Sequence, residues 1–493
     1  MHRSSLAAAA IAALFLFGCG TGSDPGSTPV ATRSAAPRNV IFFLGDGYGI
    51  VPMTAARIYA VGEDGELEID KLPETAFVKT YSLDAQVTDS APSMAAYMTG
   101  VKTRNEVLGM DGTTLAVAPG RDTATGVGNA VNNCPTRGNG NPATTLLELA
   151  IAKGRATGAV STARLTHATP AATYAHVCHR NAEYEIARQA VPGGAGFNAA
   201  LGHGVDVLMG GMSQYWRPFN ASSNKGGRPD GRDLVAELQA KGYSFVNDRA
   251  SFDAAPTAAG TRLIGLYDFA QSEGHMSYEL DRDPAREPSI AEMTLKAIDV
   301  LSKNSKGYFL MVEGGRIDHA LHSTNAARAL AEARAFDEAI KAAIAKLRLT
   351  DPKLKNTLIV VTADHDHTMV MNGYAALTGK TTATHPGILG LMRDYETPTT
   401  PALDADGKPF TTLVFGTGEN RVAGNRSAMT ALTDAAVSDK NYHQEAVIQT
   451  GVGGETHGGA DVFLGATGLG ADSFHGVIDN TRVFELVKQA VGL

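Results

Sequence analysis

The sequence predicts an α/β protein, specifically a three-layer α/β/α sandwich around a large, mostly parallel mixed sheet. Apolar runs of strand length recur without the alternation of a half-exposed strand, at 39–44, 155–161, 205–209, 307–312 and 357–362. Such runs are typical of strands that are covered on both faces. Helical patterns lie between the runs, and polar residues follow them, which is the order expected of strand–helix units in a layered domain.

The remaining elements extend this domain over residues 38–493. Helical patterns occupy 143–153, 289–302 and 324–348, and the second of these begins with Ser289 and Glu292 at capping-box spacing. Residues 372–454 are rich in Thr, Gly, Pro and Asp, with a short strand-like piece at 411–415, and predict a peripheral insertion. A strand at 462–465 then returns to the sheet, and a helix at 482–491 ends the domain.

The amino terminus predicts export. A positive start and an apolar run at 6–17, too short to span a membrane, indicate a signal peptide over residues 1–19. Leu16-Phe17-Gly18-Cys19 resembles a lipoprotein processing site with Cys19 as the lipidated residue; the alternative is an ordinary signal peptide with an incidental cysteine. Residues 20–37 predict a flexible linker. We therefore expect a periplasmic or cell-surface protein, lipid-anchored to a bacterial membrane.

Composition and cysteine content limit the kinds of protein that the chain can be. Of 493 residues, 43% are hydrophobic, which excludes wholesale disorder, and the net charge of −8 without a basic patch argues against nucleic-acid binding. Besides Cys19 the chain has only Cys134 and Cys178. In an exported protein these two form either a disulfide or two buried thiols.

The stretch 86–100 is the strongest local signal for a site. Polar Thr88-Asp89-Ser90 leads into small apolar residues that predict a buried helix, which places Ser90 at its N-cap or first turn. Free backbone N–H groups at that end favour an anion. Ser90 is therefore either a simple helix cap or a nucleophile beside bound metal.

A set of polar residues elsewhere favours the second interpretation. Carboxylates and imidazoles at strand ends are the ligands of zinc, and a carboxylate–hydroxyl corner suits magnesium. Asp318 and His322 stand four apart, so one helical turn puts them on one face. The candidate metal ligands are Asp46, Ser90, Thr169, Glu313, Asp318, His322, Asp364, His365 and His457.

These residues stand in motifs that resemble the alkaline phosphatase family, the metal-dependent type with a serine nucleophile. The motifs follow the family's order from about residue 38 to the end of the chain. They are Gly45-Asp46-Gly47, Thr88-Asp89-Ser90-Ala91, His167-Ala168-Thr169-Pro170-Ala171-Ala172 with His176 and Arg180, the run 312–322, Thr362-Ala363-Asp364-His365, and Glu455-Thr456-His457-Gly458-Gly459.

The resemblance implies two Zn²⁺ and one Mg²⁺, with Ser90 as the nucleophile. Asp318, His322 and His457 resemble the ligands of the zinc that activates water. Asp46, Asp364 and His365 resemble those of the zinc that holds the serine oxygen. Asp46 also reaches the magnesium, whose other protein ligands match Thr169 and Glu313.

The resemblance also assigns the residues around the metals. Arg180 resembles the guanidinium that grips two phosphate oxygens, Asp89 its orienting partner, and His367 a histidine bonded to the zinc-ligating Asp318. His167 and His319 stand where the enteric bacterial enzyme has Asp and Lys and animal members have His. This implies that His319 contacts phosphate and that His167 draws the third site toward zinc or another divalent metal; the alternative is a supporting hydrogen bond from each.

The function implied is hydrolysis of small phosphate monoesters through a phosphoserine, with a loosely specified leaving alcohol. A homodimer is common in the family. A phosphodiesterase of the same superfamily is the nearest alternative, and a lipoprotein that binds metal or phosphate without turnover is the non-enzymatic one. The sulfatase signature is matched only in part, because Met94 replaces the arginine that it requires.

Overall fold

The computed structural model describes residues 36–222, 226–268 and 274–493. The predicted signal peptide, Cys19 and the linker up to residue 35 lie outside the described residues. Within the described ranges, no helix combines the length and apolar character needed to cross a membrane.

The β-strands are β1 Asn39–Gly45, β2 Glu74–Lys79, β3 Ala156–Arg164, β4 Val207–Gly211, β5 Tyr243–Val246, β6 Arg262–Tyr267, β7 Tyr308–Gly314, β8 Thr357–Ala363, β9 Asp366–His367, β10 Met369–Met371, β11 Leu413–Gly418, β12 Ala446–Gln449, β13 His457–Gly458, β14 Val462–Gly468 and β15 Gly476–Asp479. The predicted strands correspond to β1, β3, β4, β7, β8, β11 and β14 to within a few residues, and the other strands are not predicted from the sequence.

The α-helices alternate with these strands. They are α1 Ile50–Val61, α2 Ser90–Thr99, α3 Leu146–Ala152, α4 Ala168–Ala171, α5 Glu183–Gln189, α6 Leu234–Ala240, α7 Arg249–Ala254, α8 Ile290–Leu301, α9 Arg316–His322, α10 Ala326–Arg348, α11 Asp434–Val437 and α12 Asn480–Val491. The predicted capping box at Ser289 and Glu292 begins α8.

Ten strands form the main sheet, in the order β15-β2-β14-β8-β1-β7-β3-β4-β6-β5. All neighbours are parallel except around β14, which is antiparallel to both β8 and β2. Residues 40–44 of β1 are fully buried although successive side chains point to opposite faces. Both faces are therefore covered: α8 and α10 pack with each other, α2 packs with α12, and helices of both groups contact the central strands. This is the predicted sandwich.

Strands β10, β11 and β12 form a small second sheet in the region of the predicted insertion. In it β10 is antiparallel to β11, and β11 is parallel to β12. This sheet begins at Met369, shortly after β9, and so overlaps the predicted insertion 372–454. The Glu63 carboxylate accepts the backbone N–H groups of Thr378 (2.6 Å) and Gly379 (2.9 Å), which fixes the insertion to the end of α1.

Candidate active site

Three adjacent parallel strands deliver the first group of polar side chains. Asp46 follows β1, Asp364 and His365 follow β8, and Glu313 lies at the end of β7; all four are fully buried. Because β8, β1 and β7 are neighbours in the sheet, their carboxyl ends meet at one edge. Gly47, with φ +67°, makes the sharp turn after β1, and a Cβ there would lie 2.4 Å from the His367 ring.

Ser90 joins this group from the start of α2. Asp89 is the N-cap, and Ser90 is the first helical residue. The Ser90 Oγ lies 3.4 Å from Asp46 Oδ1 and 3.2 Å from His365 Nε2. His365 Nε2 is 3.3 Å from Asp46 Oδ1 and 3.5 Å from Asp364 Oδ2. A zinc tetrahedron with bonds of about 2.0–2.1 Å has edges of roughly 3.3 Å. The four donors therefore fit one zinc ion.

A second group of donors has the same spacing. His322 Nε2 lies 3.2 Å from Asp318 Oδ1 and 3.1 Å from His457 Nε2. His457 Nε2 is 3.6 Å from Asp318 Oδ1. Asp318 and His322 lie one turn apart on α9, as their spacing predicts, and His457 comes from β13. These three donors have the spacing of a second zinc site.

Backbone carbonyls set the tautomer of each histidine in these two groups. The Nδ1 of His322 bonds the carbonyl of Glu455, that of His365 the carbonyl of Asp366, and that of His457 the carbonyl of Thr88. An Nδ1–H that donates to a carbonyl leaves the lone pair on Nε2. All three Nε2 atoms are those that face the carboxylates, so the rings are oriented to bind metal.

His367 lies near both groups of donors, but both of its ring nitrogens are bonded to carboxylates. Its Nε2 is 2.9 Å from Asp318 Oδ1, and its Nδ1 is 2.5 Å from Glu455 Oε2. Although burial lowers the pKa of His367, the two carboxylates outweigh it and raise the pKa to about 10. A ring that donates from both nitrogens has no lone pair for a metal. His367 thus orients Asp318, and it is held in turn by Glu455, a residue to which sequence reasoning assigns no role.

The third group contains buried oxygen atoms that have no partner. Asp46 Oδ2, Thr169 Oγ1 and Glu313 Oε1 make no hydrogen bond to any part of the chain that the structure describes. Burial, reinforced by the Asp46 carboxylate, raises the pKa of Glu313 well above its ordinary value, and burial raises the pKa of Asp364 to about 7. Buried unpaired carboxylates are costly. A bound cation would remove this cost, so this corner fits a hard divalent ion.

His167 lies at the edge of this third group. Asp46, Glu313 and His167 each offer a ligand atom within one small cluster. The Nε2 of His167 is 3.0 Å from a terminal nitrogen of Arg180, whereas its Nδ1 has no hydrogen-bond partner within the described ranges. The structure therefore places His167 between the third group and Arg180.

Arg180 flanks the helix end that carries Ser90. One terminal nitrogen donates to Asp89 Oδ1 at 3.0 Å. Burial acts to lower the pKa of Arg180, but the carboxylates of Asp89 and Glu106 outweigh it and raise the pKa. The guanidinium is thus a permanent charge beside the start of α2, a combination suited to phosphate.

His319 packs in a cluster of three imidazoles. Its ring centroid is 3.9 Å from that of His275 and 5.3 Å from that of His167. Burial and the nearby Arg316 guanidinium hold the pKa of His319 well below its usual range. Sequence reasoning misses His275, because it stands alone in a segment without a motif. It is buried, and its Nδ1 accepts the Arg164 N–H at 3.0 Å.

Cys134 and Cys178 form a disulfide bond. Cys178 stands two residues before Arg180, so the bond links a surface loop to the segment that carries the guanidinium. The loop, residues 111–141, is closed at its base where Asp111 bonds Asn141.

A serine hydroxyl among imidazole and carboxylate donors at the carboxyl edge of a parallel sheet defines a metal-binding hydrolase. Comparison with known proteins gives the family: the alkaline phosphatase profile matches residues 37–493, and the chain belongs to the alkaline phosphatase family. It is therefore a phosphoric monoester hydrolase by family.

Curated relatives agree with this assignment, and solved structures agree with the fold. The tissue-nonspecific alkaline phosphatase isozyme of Gallus gallus is 36% identical over 473 residues, which cover 90% of this chain and 83% of the relative. The Homo sapiens isozyme is 36% identical over 480 residues, covering 92% and 83%. The Thermus thermophilus alkaline phosphatase structure superposes with a TM-score of 0.63 at 25% identity over 96% of each chain. That of the Antarctic bacterium TAB5, at 22% identity, has a TM-score of 0.60 over 93% of this chain and 99% of its own.

Proposed function

We propose that the protein hydrolyses phosphate monoesters through a phosphoserine formed on Ser90, at a site that holds two Zn²⁺ and one Mg²⁺. The observation that carries the proposal is the position of the Ser90 Oγ, 3.4 and 3.2 Å from two donors with zinc spacing and at the same helix end that Asp89 caps and Arg180 flanks. A hydroxyl in this place has both metal donors and a phosphate-binding guanidinium beside it.

Each ion has a set of residues suited to it. Asp318, His322 and His457 would hold one zinc, and Asp46, Asp364, His365 and the Ser90 oxygen the other. Asp46, Thr169 and Glu313 would hold magnesium, with His167 close enough to favour zinc or another divalent metal instead. When bound, the ions supply Lewis-acid chemistry: they lower the pKa of coordinated oxygens and neutralise charge on attacking and leaving oxygens.

The protein's own residues attack, hold and release the phosphoryl group. The Ser90 oxygen attacks phosphorus, the bond from phosphorus to the ester oxygen breaks, and the alcohol leaves. Arg180 holds two phosphate oxygens with its planar fork, and Asp89 keeps that fork in place. Water then attacks the phosphoserine, returning the serine and releasing inorganic phosphate. Because these groups address only the phosphoryl part, the leaving alcohol is loosely specified.

Hydrolysis of three esters by purified protein tests the proposal: a chromogenic phosphate monoester, a phosphodiester and a sulfate ester. We expect fast monoester turnover that a chelator abolishes, that zinc with magnesium restores, and that Ser90→Ala largely removes. Trapping of radiolabelled phosphate on protein at acidic pH, present in wild type and absent in Ser90→Ala, identifies the phosphoserine. Preference for the diester would move the function to a phosphodiesterase, and no turnover with metals supplied would leave a binding lipoprotein.

Export and membrane attachment also belong to this proposal. The signal-like residues 1–19 and the small polar residues that follow support secretion with lipidation at Cys19. Mass spectrometry of the amino-terminal peptide, from wild type and from Cys19→Ser, tests the anchor. A diacylated Cys19 supports it, and cleavage elsewhere with an unmodified peptide contradicts it.

A homodimer is tested by light scattering.

A further inference from the structure

Glu106 has a backbone conformation that is unusual for its residue type. Its φ is +71°, in the left-handed region, where glycine is at ease and other residues are strained. The structure has few such non-glycine residues: Asn129, Met212, Thr324 and Leu354 are the others among those it describes. Strained backbone of this kind persists where surrounding contacts hold it, and it is concentrated at functional sites. The contacts of Glu106 therefore need an explanation.

The backbone N–H and carbonyl of Glu106 both form hydrogen bonds with the residues of the proposed phosphate site, Asp89 and Arg180. Its N–H donates to Asp89 Oδ2, and its carbonyl accepts the N–H of Arg180 at 2.7 Å. The other oxygen of Asp89 accepts from the Arg180 guanidinium at 3.0 Å and from the Ala91 N–H at 2.7 Å. One left-handed residue thus ties the main chain of Arg180 to the carboxylate that orients its side chain.

The side chain of Glu106 adds a charge to the same place. Its Oε2 lies 3.6 Å from His179 Nε2, and 43% of the side chain is exposed. The Nδ1 of His179 accepts the Asn181 N–H at 3.2 Å, so Nε2 is the protonated nitrogen and faces the carboxylate. His179 immediately precedes Arg180. The Glu106 carboxylate is, after Asp89, one of the charges that raise the pKa of Arg180, so a negative charge acts on the guanidinium that would receive a phosphate dianion.

We propose that Glu106 is a positioning residue that sets how tightly Arg180 holds phosphate. Its left-handed backbone fixes the guanidinium, and its carboxylate weakens the hold by repelling the dianion, so that the product leaves more readily. This inference rests on the proposed function, because it assigns the same phosphate site. Glu106 itself neither binds metal nor contacts the reacting atoms.

Inorganic phosphate binding to the zinc-loaded enzyme tests the carboxylate. We expect Glu106→Gln to tighten phosphate binding by about three- to tenfold, the order expected when one negative charge is removed near a dianion in a partly solvated site. The gain should shrink between about 20 mM and about 500 mM salt, because screening acts on the exposed carboxylate. KM for a monoester should fall with the phosphate dissociation constant, while the metal content stays the same. The matched control is Glu485→Gln on α12, whose side chain is 44% exposed and which leaves phosphate affinity unchanged.

Two further variants separate the backbone from the charge. Glu106→Gly removes charge and strain together, so it should bind phosphate as Glu106→Gln does and have a higher melting temperature. Glu106→Val also removes the charge, but its branched side chain opposes positive φ. It should therefore bind phosphate more weakly than Glu106→Gly, with unchanged zinc content.

Calorimetric titration with phosphate keeps this inference separate from the proposed function. If the wild-type enzyme hydrolyses esters but Glu106→Gln and wild type bind phosphate equally at both salt concentrations, the role of the carboxylate is overturned. Equal phosphate affinity in Glu106→Gly and Glu106→Val overturns the role of the backbone. Absence of ester turnover in wild type contradicts the proposed function instead, and the phosphate titrations still decide the role of Glu106.

Discussion

The two sides of Ser90, one with the candidate metal donors and one with Arg180, are built in different ways. On the metal side, most donors lie in or directly after the adjacent strands β8, β1 and β7, or on α9, while His457 comes from β13 and Thr169 from α4; most of them are fully buried. On the arginine side, Arg180 lies in an irregular segment between α4 and α5. Its position depends on cross-links: the Asp89 carboxylate, the left-handed Glu106 and the disulfide at Cys178.

This difference follows from what each side must do. Donor atoms for a zinc ion must keep separations of roughly 3.3 Å to within a few tenths of an ångström, and parallel strands of a packed core supply that precision. A guanidinium at the end of a long side chain needs to be held at both its main chain and its tip, which cross-links on a loop can achieve. Damage to the metal side should therefore remove catalysis, whereas damage to the arginine side should weaken phosphate binding.

The largest expected effect is on the metal side, from Asp364→Asn. Asp364 bonds the Gly47 N–H through Oδ1 and offers Oδ2 to the zinc donors around Ser90. The amide is a poor zinc ligand, so we expect kcat/KM to fall by more than about a hundredfold, beyond the usual cost of losing an outer partner of a metal ligand. Zinc content, measured by mass spectrometry of the dialysed protein, should fall as well.

Asp337→Asn is the control for that variant. Asp337 is also a buried carboxylate, and it accepts the N–H groups of Glu68 and Ile69 away from the donors. We expect normal zinc content and turnover. If both variants retain zinc and activity, the metal side is wrongly assigned.

Arg180→Lys should have the next largest effect and a different signature. Lysine keeps the charge but loses the planar fork, and a charge-assisted hydrogen bond contributes about 1.5–3 kcal/mol. KM and the phosphate inhibition constant should rise by roughly ten- to a hundredfold. Zinc content should match that of wild type, since a guanidinium has only donor N–H groups and does not bind zinc. Loss of zinc from this variant would contradict the division into two sides.

Removal of the disulfide tests the cross-links alone. Cys134 and Cys178 are 44 residues apart, and replacing both with Ser should lower the free energy of unfolding by about 2–4 kcal/mol. Because Cys178 stands beside Arg180, KM should rise a few-fold while kcat at saturating substrate changes by less than about twofold. Chemical denaturation and steady-state kinetics give the two readouts. A fall in kcat with constant KM would show that the disulfide acts on the metal side.

The smallest effect concerns a buried carboxyl of α10. Burial raises the pKa of Glu332 from its ordinary 4.5 to about 7. A raised pKa in the folded state gives stability that is complete below about pH 4.5 and is lost as the pH rises through about 7. Glu332→Gln removes that loss. The melting temperature of the variant minus that of wild type should therefore be larger at about pH 9 than at about pH 5. An equal difference at both values would contradict the shift; turnover should be unaffected.

The metal side is more predictable from sequence than the arginine side, for a physical reason. Asp46, Asp364 and His365 follow apolar runs of strand length, and parallel strands end at a common edge. Asp318 and His322 share a helical spacing. These are local patterns, and the family motifs that contain them imply a role for each residue.

Supporting residues leave no such local pattern. Glu455 bonds His367 across 88 residues of sequence, and its motif gives no hint of this contact. The sequence around Glu106 gives no signal for a positive φ, because glutamate rarely adopts that conformation. His275 reaches His319 only through the tertiary fold. Partners brought together by long-range packing cannot be inferred from spacing.

The direction in which β1 runs has a practical consequence for how the enzyme can be attached to a surface. The chain enters the sheet at Asn39, whose neighbour Arg38 bonds Lys306 at the amino end of β7. Asp46 and the other donors lie at the opposite, carboxyl ends of these strands. A chemical cross-link at Arg38 or Asn39 would therefore hold the protein at the end of the strands opposite the candidate site, and bulky phosphorylated molecules could still approach that site.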